Sequence, residues 1–189
     1  MAPVLPVPVN PPGNLTKAPA AMFSFGNPPR DYQLYLEAGA VVIAGPQRSA
    51  ECPQVEKSFY AQQSHVCGGN LFFVLQHVTR YVSKYLYKFD PDRNEIECIY
   101  GNEKEFHFVE DRAVIFGTNC NIDPCTQGLM RGTAVITILD LNKVACSRIS
   151  QRYNIETPGS GILTCWVDAA VKMIIAVDQA GRRRILPIA

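Results

Sequence analysis

The chain has 189 residues, 47% of them hydrophobic and 19% charged, with a formal net charge of +1. That length suits one domain of about 100–200 residues with a sizeable core. The near-zero charge excludes a global field drawing the whole protein to nucleic acid or to an acidic membrane, and no apolar run approaches the ~18–20 residues of a membrane-spanning helix.

Residues 1 to 30 hold eight of the fourteen prolines. This predicts an extended or disordered N-terminal arm. Its apolar start, MAPVLPVPVNPPG, is broken by proline and has no basic residue before Lys17. That is a poor secretory signal, so a cytoplasmic or otherwise intracellular protein is expected. A proline-rich arm suits docking on another subunit or on an aromatic groove. Its candidate contact residues are Pro28, Pro29 and Tyr32 of PPRDY, a stretch one residue too long for a PPxY-type ligand.

One folded domain is expected over residues 31–189. DYQLYLEAGAVVIAG alternates at Tyr32, Leu34 and Leu36, then becomes continuously apolar before Gly45-Pro46. It reads as one or two strands. In GGNLFFVLQHVTRYVSKYLYKFDPD, apolar residues fall at Leu71, Val74, Leu75, Val78, Val82, Tyr85, Leu86 and Phe89. That spacing predicts a helix over about 70 to 88, with Asn70 as its cap, Lys84 and Lys88 near its end, and Asp90-Pro91 as its stop. Short β-prone runs follow: EIECIYG, EFHFV, RAVIFG, GTAVITILDL, KVACSRI and ILTCWV. VKMIIAV and RRRILPI flank Asp178-Gln179-Ala180-Gly181, a hairpin loop. One long helix on a curled, mainly antiparallel sheet is an α+β fold.

Candidate chemistry is sparse. Cys120 and Cys125 sit in TNCNIDPCTQG, and there are seven cysteines in all. An odd count argues against a fully paired secreted framework. The pair could be half of a zinc site, a small disulfide loop or plain loop thiols; a second ligand pair of zinc spacing is lacking. Gly68-Gly69 and Gly159-Ser160-Gly161 are too brief for a phosphate loop, and no cofactor is implied. In EFHFVEDR, a strand puts Glu105 and His107 on one face with Arg112 close by on the next strand, a set suited to acid–base work on a phosphodiester. Arg182, Arg183 and Arg184 form a basic run, either edge protection or a phosphate contact in RNA or lipid.

The order Cys67, long helix, Asp111-Arg112-Ala113-Val114-Ile115-Phe116, Thr133-Ala134-Val135-Ile136-Thr137-Ile138, Cys146 resembles that of small fungal ribonucleases of the T1 type. Ile138 stands where that family's catalytic histidine would be, and the Tyr-x-His segment is absent. The resemblance therefore implies a fold that has lost catalysis, or a binding relative. The sequence favours a non-enzymatic interaction protein, of structural, accessory or effector type, that engages a protein partner or its own copies. The alternatives are an RNA-binding, nuclease-like domain using Glu105, His107 and Arg112, and a small zinc-stabilised domain using Cys120 and Cys125.

Overall fold

The computed structural model describes residues 18–37, 40–53, 59–78, 82–103, 105–119, 132–143, 148–157, 163–178 and 180–189. Among these residues there are fifteen strands and no helix. Strands β1 (Ala21–Phe25), β2 (Arg30–Glu37), β3 (Ala40–Ala44) and β4 (Ser49–Pro53) form the first sheet. Strands β5 (Phe59–Cys67), β6 (Asn70–Val78), β7 (Val82–Asp90) and β8 (Glu95–Glu103) form the second. The third holds β9 (Glu105–Val109), β10 (Arg112–Asn119), β11 (Gly132–Asp140) and β12 (Ile149–Thr157). The fourth holds β13 (Leu163–Asp168), β14 (Met173–Asp178) and β15 (Arg183–Pro187). In every sheet the spatial order follows the chain, so each is an antiparallel meander built from local connections.

The expected α+β architecture is therefore replaced by an all-β one. The stretch assigned to a helix over 70 to 88 is the β6–β7 hairpin, paired from Leu71 opposite Phe89 to Val78 opposite Val82. Two physical facts decide it. Leu71, Phe72, Phe73, Val74 and Leu75 are all essentially buried, so β6 is covered on both faces and its sequence loses the alternation of a half-buried strand. A continuous apolar run always contains an i, i+3, i+4 subset, and that subset imitated a helix face. The second fact is the preceding turn. Gly68 and Gly69 both have positive φ, 55° and 76°, between the paired residues Cys67 and Asn70. Two left-handed residues in a two-residue loop make a hairpin turn whose twist matches that of its strands. Asn70 does not act as a helix cap; its Nδ2 donates to the Gly68 carbonyl at 3.2 Å.

This finding also removes the helix from the ribonuclease-like order, although β10 and β11 do lie side by side, from Arg112 opposite Asp140 to Asn119 opposite Thr133. Ile138, at the position of the missing histidine, is fully buried.

The chain divides into two compact units, Met1–Tyr100 and Gly101–Ala189. In the first, Leu34, Val41 and Ile43 of the first sheet share a core with Leu71, Phe73, Leu75 and Phe89 of the second. In the second unit, Val114 and Phe116 of β10 and Ile136 and Ile138 of β11 pack with Ile174 and Ala176 of β14. Each core thus lies between two meanders, the sheet-on-sheet solution to burying one apolar face of each. Among the described residues, no helix is long and apolar enough to cross a membrane.

Candidate interaction surface

Strands β9 and β10 are joined by a tight turn in which Glu110 holds a φ of 51° and Val109 pairs with Arg112. Alternation sets Glu105 and His107 on one face, and they meet: His107 Nε2 lies 3.2 Å from Glu105 Oε2. Both sit at the rim of the core, and the His107 ring packs against Phe116 with centroids 5.2 Å apart. Arg112 is two pairs further along the same ladder, since His107 opposes Val114 and Val109 opposes Arg112. Its guanidinium is engaged elsewhere. Nη1 lies 2.8 Å from Asp111 Oδ2 and 3.3 Å from Asp140 Oδ2, and Nε donates to the Ala189 carbonyl at 2.8 Å. Two carboxylates therefore hold the cation that the acid–base reading needs.

A thiol borders the same rim. Burial pushes Cys165 up to about 11, and the nearby Glu105 carboxylate adds in the same direction. At that value roughly one thiol in ten thousand is ionised at pH 7, so the group is a small hydrophobe and not a nucleophile. Glu103, which sequence reasoning missed, has its carboxyl raised by burial and drawn partly back by Arg152. Gly117 faces this carboxylate so closely that an added Cβ would collide with it.

The arginine run divides three ways. Asp178 Oδ1 accepts the N–H groups of Ala180 and Arg182, both at 2.9 Å, and Oδ2 accepts Arg182 Nε at 2.7 Å. The Arg182 N–H, foremost among these contacts, holds the Asp178 carboxyl below its ordinary range. Arg182 is thus a fastener of the β14–β15 turn. Arg183 and Arg184 oppose Val177 and Ala176, so they occupy opposite faces of the sheet.

The face of Ala176 is the core face, shared with Cys165, Val167, Ile174 and Leu186. The other face is a surface. Across its middle Trp166, Ile175 and Ile185 stand side by side on three neighbouring strands. Trp166 is 43% exposed and Ile185 57%. Arg183 marks one corner of this face and Asp168 the diagonally opposite corner. Val171, in the β13–β14 turn, is 60% exposed. An apolar row holding the only tryptophan of the chain, framed by one cation and one anion, makes this face amphipathic.

No protein-family model and no curated protein matches this chain. Among solved structures, the acylaminoacyl peptidase of Pyrococcus horikoshii aligns with a TM-score of 0.38 and 11% identity, over 83% of this chain and 30% of that one. The chain spans under a third of that protein's length, and a likeness of this size assigns neither fold nor activity.

The other sequence candidates lie elsewhere. Pro28 and Pro29 occupy the β1–β2 turn, which follows Gly26 at φ 99° and contains the cis bond Asn27–Pro28. Tyr32 is 5% exposed, its ring 4.7 Å from Phe25 and 5.3 Å from Phe89, inside the first core. Cys120 and Cys125 fall outside the described residues. Among the described residues no group of three or more His, Cys, Asp or Glu side chains is placed to hold a metal ion. Among the described residues, Cys98 and Cys165 are free thiols. The contact face was written in the period-2 pattern of Thr164, Trp166 and Asp168 against Cys165 and Val167. Which of the two phases faces the core is a tertiary fact.

Proposed function

We propose that this chain is a contact protein that associates with its own copies through the outer face of β13, β14 and β15. The observation that carries the reading is the row Trp166, Ile175 and Ile185, in which the outer two, Trp166 and Ile185, are exposed and flank a half-buried Ile175. Tryptophan in particular supplies much contact area for little lost side-chain freedom, which is why it recurs where binding energy concentrates. The corners make the face self-complementary. A two-fold axis running in the face along the free diagonal sets each Arg183 over Asp168 of the second copy, whose Oδ1 accepts the Ala170 and Val171 N–H groups and whose Oδ2 is left for the cation. It also lays Trp166 near Val177 of that copy and crosses the two sets of strands at about a right angle, one of the two ways sheets stack. The acid–base reading is weaker, because Asp111 and Asp140 occupy Arg112. A phosphate-binding role for the arginine run is weaker too, because Arg182 is tied to Asp178.

Trp166 reports on its own surface. Raising the protein concentration through the micromolar range should shift its emission to shorter wavelength and reduce its quenching by acrylamide. Ile185→Lys should hold the emission at its dilute-limit position at every concentration. Emission in the parent chain that does not change with concentration would sink the proposal.

A further inference from the structure

A cleft of about 200 Å³ opens in the first unit. Two turns frame it. The β3–β4 turn is closed by the Gly45 N–H donating to the Arg48 carbonyl at 2.9 Å. It is tied to the β7–β8 turn by Arg48 Nη2, which donates to the carbonyls of Pro91 at 2.9 Å and Asp92 at 2.7 Å. Asn94 Nδ2 returns a bond to the Ser49 carbonyl at 2.7 Å. Arg48 is therefore held in place by neutral acceptors that fix its geometry without cancelling its charge. Its Nε and Nη1 donors have no partner among the described residues.

Arg30 lines the same cleft, and its side chain makes no hydrogen bond or ion pair among the described residues. No carboxylate lines the cleft. Asp31 follows Arg30 on β2 and so lies on the opposite face. Asp90 is occupied by the N–H groups of Asp92 and Arg93. Pro46 and Pro91 line the cleft, and the buried Tyr32 ring also contributes to it. Gly45 is required here, since a Cβ would press on that ring.

Two guanidinium groups in one small cleft attract an anion; Arg30 can turn a guanidinium fork to the paired oxygens of carboxylate or phosphate, while Arg48, its Nη2 committed to the Pro91 and Asp92 carbonyls, adds a single N–H contact. We infer that this cleft binds one small oxyanion group, carboxylate or phosphate, between Arg30 and a pre-positioned Arg48. The volume admits the group itself or a short molecule carrying it.

The test uses the full chain, labelled with ¹⁵N, and follows the side-chain signals of Arg48 Nε and Asn94 Nδ2. Inorganic phosphate and acetate are titrated separately against sodium chloride of matched ionic strength. Saturable shifts with phosphate alone assign a phosphoryl ligand, and with acetate alone a carboxylate; saturation with both assigns an oxyanion site of either kind. Arg30→Gln removes one charge-assisted contact and no bond of the fold, so it should weaken the fitted affinity at least ~10-fold while the far-ultraviolet circular dichroism stays unchanged. The proposal is overturned if neither anion shifts these signals beyond chloride, or if Arg30→Gln binds as tightly as the parent chain.

Discussion

Glu103 shows how one residue can store a pH dependence. Burial raises its carboxyl above the ordinary range, and Arg152 offsets part of that effect. A raised pKa in the folded state means that folding strengthens proton binding. The ionised carboxylate at neutral pH therefore costs stability, and the cost disappears as pH falls through the folded pKa toward the unfolded value near ~4.3. Glu103→Gln removes the buried charge. It should melt at a higher temperature than the parent at pH 7, with the difference shrinking as the pH is lowered toward about 4. Thermal unfolding of both chains at the two pH values checks this, and a lower melting temperature for the variant at pH 7 would show that the Arg152 attraction outweighs burial. Asp178 has the opposite sign. Its carboxyl is lowered, so its contribution is present above the unfolded pKa and is lost as pH falls through the folded one.

Among the elements, the turn before β6 carries the decisive information. Gly69 has φ 76°, and nothing lies within 4 Å of where its Cβ would be. Gly69→Ala therefore meets no steric neighbour and pays only for the left-handed backbone, about 1–2 kcal/mol. Urea unfolding should show that loss; no change in midpoint would fit a residue just before a helix better than a hairpin turn. Sequence reading found the hairpin after Asp178 because both flanking strands are bounded by clear turn residues. It missed the β6–β7 hairpin because burial on both faces erased the period of two, and the Gly68-Gly69 turn was read as a helix approach. The pairing of Glu105 with His107 was legible, since it follows from strand alternation alone. The capture of Arg112 was not: Asp140 comes from β11, directly opposite in the ladder but twenty-eight positions later in the chain. The anion cleft was hidden for the same reason, because Arg48 and Asn94 meet only through the contact of two turns distant in sequence.

At the scale of the whole molecule, each unit builds its core from two meanders. In the second unit, sheet β13–β14–β15 spends one face on that core and leaves Trp166 and Ile185 of the other face in water. Exposed residues of this size on one sheet face, flanking Ile175, are a liability for a protein that works alone and an asset for one that assembles. Opposite charges at the corners of the face favour a defined pairing over indiscriminate aggregation. The most direct measurement is the native mass by light scattering, across a range of concentrations, for the full chain and for Ile185→Lys. The mass of the parent should rise to a discrete multiple of the monomer, and the variant should be a monomer at every concentration. A parent chain that remains monomeric throughout, or an oligomer that Ile185→Lys leaves intact, would contradict assembly through this face.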